Sequence, residues 1–320
     1  MILRSLTAAL LTTTAAWAEA PRVATDILPV HGLASMVMGD LGAPSLILPP
    51  GASPHDYALR PSEARALSEA DIVFRIGAAL APGLDRPLDA LAGGAQVVTL
   101  TEVSGTVLLD YRQEATFAPD DHDDHGHKHD DDHGHGHDDH DDDHGHDHGG
   151  EHDPHAWLAP DNAALWLDHM AAVLAEADPK NADRYRANAA AARAEIDAAV
   201  ADAKAALATA EGPYVVFHDA YHYFEEAFDL PVLGAISASD AQGPSPSRLA
   251  TLRDALETSD VTCLFSEPQF DPRLIAAVSE GTELPVAVLD PLGTDLPPGA
   301  GHYPALLRDM AQRIAGCAGQ

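Results

Sequence analysis

The stretch from Asp120 to Pro160 reads DDHDDHGHKHDDDHGHGHDDHDDDHGHDHGGEHDPHAWLAP. Eleven of the chain's 19 histidines lie between Asp120 and Gly150, set among Asp and Gly with no apolar side chain. A segment with nothing to bury cannot offset the entropy of ordering itself, so the composition predicts a disordered loop over residues 119–152. Dense imidazole beside carboxylate suits borderline metals such as Zn, Cu and Ni. The bland alternative is a solvated acidic spacer, but such a spacer needs Asp without His. Ordinary folded sequence resumes at Asp153-Pro154-His155-Ala156-Trp157-Leu158, and its first feature is another histidine. The run is therefore expected to gather metal, with His155 in a separate, rigid site.

The remaining composition bounds the answer. The chain has 320 residues, 46% of them hydrophobic, and a net charge of −33 with His neutral. That length suffices for two modest α/β lobes. The charge repels nucleic-acid phosphates, so no nucleic-acid partner is expected, and it disfavours docking on anionic lipid. Residues Met1–Ala18 read as a secretory signal, with Arg4 as the charged end and Leu6–Ala16 as an apolar run too short to span a bilayer. Ala16-Trp17-Ala18 is the cleavage site, which puts the mature start at Glu19. No Cys follows that site, so lipid anchoring is not expected. Two cysteines fit an oxidising compartment. Cys263 and Cys317 either form a bridge that staples the C-terminus to the body, or stay as a buried thiol and a free one.

In the first half, apolar runs at Arg22–Leu28, Ser45–Leu48, Asp71–Ile76 and Gln96–Leu100 read as strands. Helices over Pro29–Met38, Pro61–Ala70 and Leu84–Leu91 separate them. Strand, helix, strand in succession means a parallel sheet with crossover helices. After His155, Asp161–Ala177 reads as a helix. Asp178 is then expected as an N-cap, with Pro179 in the first turn of a second helix over residues 179–210. At ~1.5 Å per residue a helix of roughly thirty residues reaches ~45 Å, longer than one small lobe. Its expected role is to link two lobes. The second half repeats the rhythm, with strands at Pro213–Phe217, Val232–Ile236, Val261–Phe265 and Pro285–Leu289. The fold class is α/β. The expected domains are a signal at 1–18, an N-terminal lobe at 19–178 that carries the loop, the linking helix at 179–210 and a C-terminal lobe at 211–320.

Four candidate metal ligands stand just beyond strands or in turns: His55, His155, His218 and Asp290. In open parallel sheets ligands bind at such strand ends. Three neutral imidazoles and one carboxylate make a tetrahedral site suited to Zn²⁺. Other residues read more plainly. His31 is a surface or capping residue, and His169 a helix-surface residue. His222 shares a helical face with His218 but lies off the strand end. Glu267 caps a turn or supports a ligand from behind, Asp153 hydrogen-bonds near His155, and Trp157 is cleft wall or core.

The segments PPGASPHDYALRPSEARAL, DPHAWLAPDNA, VVFHDAYHYF, FSEPQFDPRL and AVLDPLG, in this order, resemble the metal-binding proteins of ABC importers, and among them the zinc-uptake branch. The resemblance covers nearly the whole mature chain. It implies two lobes bridged by one long helix, with metal in the cleft between them. It carries the ligand role onto His55, His155 and His218, with Asp290 as the expected fourth ligand and water as the alternative. Manganese- and iron-type relatives carry a carboxylate where this chain has His218, which favours zinc. Some zinc relatives place Glu just before the first ligand His, where this chain has Pro54. The pair Cys263 and Cys317 matches a disulfide of the zinc branch, and an Asp/His loop is typical of it.

The resemblance implies a periplasmic protein that captures Zn²⁺ and delivers it to the permease and ATPase of an inner-membrane ABC transporter. A periplasmic zinc chaperone is a further expected partner, and a monomer the expected state. No enzymatic activity is expected. Two rivals stand beside this reading. A secreted zinc hydrolase would need an open coordination position and a general base. A metal-storage or nickel-chaperone protein would have the His-rich loop as its only site.

Overall fold

The structure, a computed structural model, describes residues 20–117, 152–238 and 243–318. The expected signal segment and nearly all of the Asp/His run lie outside them. The N-terminal sheet has four strands: β1 (Val23–Thr25), β2 (Ser45–Leu46), β3 (Ile72–Arg75) and β4 (Gln96–Thr99). Their order is β2-β1-β3-β4, and every neighbouring pair is parallel. Parallel neighbours need crossovers, and α1 (Leu28–Met38), α2 (Pro61–Glu69) and α3 (Asp85–Leu91) lie between successive strands. β1 and the first three residues of β3 are buried, as a strand covered on both faces requires.

The C-terminal sheet repeats this plan without repeating the sequence. β5 (Tyr214–His218), β6 (Val232–Ser237), β7 (Cys263–Ser266) and β8 (Val286–Val288) pair in the order β6-β5-β7-β8, again all parallel. Helices α6 (His222–Phe228), α7 (Pro246–Thr258) and α8 (Pro272–Ser279) connect these strands. Alternation along β5 divides its side chains between two cores. Tyr214 and Val216 join the large core, while Val215 and Phe217 join a smaller one with Leu252, Leu256 and Ile275.

Between the sheets run α4 (Pro160–Ala177) and α5 (Ala182–Leu207), and α9 (His302–Ala318) closes the described chain. The 26 residues of α5 span about 39 Å. Its buried side is Tyr185, Ala189, Ala192, Ile196, Ala199, Ala203 and Leu207, a stripe at three- and four-residue spacing. The alanines let α4 and α9 lie close against it. Among the described residues no helix is long and apolar enough to cross a membrane.

Two local expectations differ from the structure. The first strand stops at Thr25 because Asp26 turns the chain: its carboxylate accepts from Ile27 N at 2.8 Å and Ile76 N at 2.7 Å. Asp178 does not cap α5. A 3-10 turn over Pro179–Asn181 comes first, and the Asp178 carboxylate accepts instead from Asn181 Nδ2 (2.6 Å) and Tyr185 Oη (3.1 Å).

Cys263 on β7 is bonded to Cys317 in α9, across 54 positions of sequence. Closing a loop of that size removes unfolded-state entropy worth about 4 kcal/mol. A second tie crosses from one sheet to the other. The chain after β4 runs onto the edge of β6, where Phe117 N donates to Leu233 O (2.7 Å) and Ala235 N to Ala115 O (3.2 Å). Gly234 is required there, since a Cβ would sit 2.1 Å from Ala115 O. Arg248 clasps the same segment through the carbonyls of Gln113 and Glu114, each at 2.8 Å.

Candidate metal centre

His55 sits past the end of β2. Pro49 and Pro50 lack the N–H a strand interior needs, and Gly51 takes a positive φ of 82°. The chain therefore leaves the sheet and forms a 3-10 turn over Pro54–Asp56, capped by Ser53 Oγ on His55 N at 3.3 Å. The carbonyl of Tyr57 then lies so close to Gly83 that a Cβ there would be 2.6 Å from it.

His155 is set by its neighbour. Asp153 Oδ1 accepts from His155 N (2.9 Å) and pairs with His155 Nδ1 (2.6 Å). His218 is the last residue of β5, and Glu267 follows the last residue of the adjacent β7. The two strand ends thus bring Glu267 Oε1 to 2.7 Å from His218 Nδ1 and 3.3 Å from His218 N. When these carboxylates are ionised they only accept, so each Nδ1 then carries the proton and each Nε2 presents its lone pair. Those two Nε2 atoms face each other at 3.4 Å.

The ligand atoms of His55, His155 and His218 all lie within 4.8 Å of one another. The His155 ring centroid is 5.5 Å from that of His55 and 5.2 Å from that of His218. Trp157 and Phe270 wall the site, at 5.2 Å from the His155 ring and 5.4 Å from the His218 ring. The space between them is ≈20 Å³, room for one water or small ion. Both supporting carboxylates are buried, and burial pushes Asp153 up to about 7 and Glu267 upward as well. Such carboxyls gain from a nearby cation.

The ZnuA family profile, described as zinc-uptake complex component A, periplasmic, matches residues 23–317. This chain belongs to the ZnuA family. A high-affinity zinc uptake system protein ZnuA of Paracoccus denitrificans is 45% identical over 309 residues, covering 94% of this chain and 93% of that one. Its Brucella abortus counterpart is 38% identical over 307 residues, covering 93% and 92%. A solved crystal structure of ZnuA superposes with a TM-score of 0.73 at 25% identity, over 93% of this chain and 99% of that one. A zinc-bound ZnuA deletion mutant, 24% identical, shares the fold at the same TM-score. A family whose description is periplasmic makes this an exported chain.

In this ZnuA-family chain, three of the four residues read from sequence as ligands converge and the fourth does not. Asp290 lies outside the histidine group. Its carboxylate holds a turn instead. Oδ1 accepts from Leu292 N (3.0 Å), and Oδ2 from Thr294 N (2.7 Å) and Thr294 Oγ1 (2.5 Å). Asp290 or water as the fourth ligand is the choice the sequence left open. A β-strand end followed by Asp-Pro looks the same in sequence whether the carboxylate turns outward or back on its own turn.

Among the described residues the other histidines stay outside the group. His31 Nε2 lies 3.2 Å from Pro44 O, His169 remains on α4, and His222 Nε2 is 4.0 Å from Glu226. Glu267 supports His218 from behind, as one of its two sequence readings had it. Trp157 is buried wall.

Sequence reading missed the groups that hold the His155 segment in place. Tyr223 Oη on α6 donates to Asp153 O (2.7 Å) and accepts from Leu109 N (2.9 Å). Arg112 pairs with buried Asp219 and Glu225 while its guanidinium covers Phe117 at 3.6 Å. The neighbouring VVFHDAYHYF segment, with one acid and four aromatics around two histidines, was the available signal.

Proposed function

We propose that this chain captures Zn²⁺ in the periplasm through His55, His155 and His218 and hands it to the permease of an ABC transporter. The observation that carries this reading is the pair of Nε2 atoms at 3.4 Å, each on a ring whose Nδ1 is tied to a buried carboxylate. Zn–N bonds of ~2.0–2.1 Å at the tetrahedral angle set ligand nitrogens about 3.3–3.4 Å apart. Carboxylate–histidine pairs of this kind orient imidazoles toward zinc and raise their basicity. The third imidazole, on the His55 turn, gives a soft nitrogen set that favours zinc over manganese or magnesium. Water fills the fourth position in this reading, in place of Asp290.

Zinc is cargo here, so binding must be tight and reversible. The signal segment ends at Ala18, the Asp/His run serves as an accessory collector, and the chain works as a monomer. A periplasmic chaperone that donates zinc fits the composition of the run. The domain limits are those given from sequence, with α5 as the link between lobes.

The test is zinc stoichiometry and affinity for the intact chain, for a variant lacking Asp120–Gly150, and for a His55→Ala, His218→Ala double variant. One tight site should survive the deletion and vanish in the double variant. Tight binding in the double variant would sink the assignment. Loss of all tight binding on deletion would favour the storage rival. Turnover of ester, phosphate or peptide substrates that a chelator abolishes would favour the hydrolase.

A further inference from the structure

Gln269 stands in the loop after β7, half-buried, and lines the same pocket as the three histidines. Its Nε2 donates to Asp290 Oδ1 at 3.3 Å. A carboxylate oxygen can only accept, so this contact fixes which end of the amide is nitrogen. The other end, Oε1, is buried and has no hydrogen-bond partner. An unsatisfied buried acceptor costs about 1–3 kcal/mol. Native structures rarely carry one without a reason, and unfilled ligand or water positions are a common reason.

Asp290 explains the orientation. Three donors from Leu292 and Thr294 anchor its carboxylate, and Gln269 is the fourth. The carboxylate that looks like a ligand in sequence is held in place and turns the amide so that Oε1 is the free end. Three imidazoles leave a tetrahedral zinc with one further position. A water there carries two protons, polarised by the metal, and needs an acceptor.

We propose that Gln269 Oε1 accepts a hydrogen bond from the water in zinc's fourth position, and that Asp290 positions Gln269 for it. The inference rests on the zinc-capture reading above. It also gives the site its character. An amide oxygen accepts a hydrogen bond but does not take a proton at neutral pH, so this water has a holder at Gln269 and not a general base. A holder suits storage and release of the ion, and a base would suit hydrolysis.

A crystal structure of the zinc-loaded protein tests the geometry. A non-protein oxygen should lie ~2.0–2.2 Å from zinc and within about 2.5–3.0 Å of Gln269 Oε1. An Asp290 oxygen or Gln269 Oε1 bonded directly to zinc would overturn the inference, as would a bound water with no contact to Oε1. In solution, Gln269→Leu should lower zinc affinity about 10–100-fold by chelator competition, with no fall in the unfolding midpoint of the metal-free state. The visible bands of the cobalt-loaded protein should shift alike in Gln269→Leu and Asp290→Ala, since both release the same water. Unchanged affinity and spectra in Gln269→Leu, beside a His155→Ala variant that loses tight binding, would remove this inference and leave the capture reading intact. Unchanged zinc binding in His155→Ala would remove the capture reading itself.

Discussion

The indole Nε1 of Trp157 donates to the carbonyl of Pro291 at 2.9 Å, joining residues 134 positions apart. Tyr303 Oη donates to the carbonyl of Trp157 at 2.7 Å, and Tyr223 Oη to that of Asp153. The short segment that bears His155 is thus bonded to α6, α9 and the loop after β8. His155 reaches His218 because its backbone is fastened to the half of the chain that carries His218. Replacing Trp157 with Phe removes one donor and leaves a buried carbonyl unpaired, besides some lost packing. Metal-free stability should fall by about 1–3 kcal/mol. Urea unfolding measures it, and an unchanged midpoint would show that this contact adds nothing.

The carboxylates behind the imidazoles give a sharper expectation. Asp153→Asn and Glu267→Gln each replace a group that only accepts when ionised, as beside a bound cation, with one that can present N–H to Nδ1. The proton then shifts to Nε2 in part of the population, and that nitrogen can no longer bind metal. Each variant should lose about 10–100-fold in zinc affinity. Titration against a chelator of known affinity reads the loss. Full affinity in both variants would mean that the rings are oriented by packing alone.

How much of this was legible in the sequence depends on range. The alternation of apolar strands and helices predicted both parallel sheets, since that rhythm is local. His55 and His218 were legible because a Pro/Gly turn and a strand end mark them. Asp290 carries the same local mark, yet its partners, Leu292 N and Thr294 N, become visible only once the turn is folded. Arg112, Tyr223 and Trp157 act through partners roughly 110 or more positions away, or through another segment's backbone, and no periodicity reports that. Gln269 was invisible for the same reason: nothing in EPQF says which end of an amide will be left without a partner.

Zinc binding should weaken as the solution is acidified. An imidazole must be neutral to bind, and its reference pKa is ~6.5. Between neutral pH and about pH 5 protons should displace zinc, and binding should release protons. Isothermal titrations in buffers of different ionisation enthalpy would detect that release. A flat affinity profile over this range would argue against histidine ligation.

Protein stability should carry a separate pH signature from Asp26, away from the metal site. The group is fully buried, and desolvation pushes its pKa up from 3.8 to about 6. The folded state thus binds this proton more tightly than the unfolded chain does. Its contribution is full below pH 3.8 and is lost as pH rises through about 6. A rise of about two units is worth at most about 3 kcal/mol. Asp26→Asn removes the titration, so the change in unfolding free energy between pH 4.5 and 7 should differ from wild type by an amount of that order. Identical pH profiles for the two proteins would place the Asp26 pKa near its unfolded value.

The Asp/His run gives the last expectation, because of where its two ends are held. Phe117, before it, is bonded to the edge of β6, and His152, after it, pairs with Asp110 at 3.0 Å. His155 lies three residues beyond. Metal bound in the run therefore stays on the same chain as the three-histidine site, so its transfer there is intramolecular. The run should bind more weakly than the three-histidine site, because its composition offers nothing apolar to bury that would hold ligands in a fixed arrangement. A weak store beside a tight site drains toward the tight site when zinc is scarce. Removing Asp120–Gly150 should lower the number of zinc ions bound while leaving the affinity of the tight site nearly unchanged. Loading of that site from a zinc-donating partner should slow, and growth under zinc chelation should suffer mildly. If loading rate and zinc-limited growth both match the intact protein, the run does not transfer metal, and buffering of excess zinc is all that remains for it.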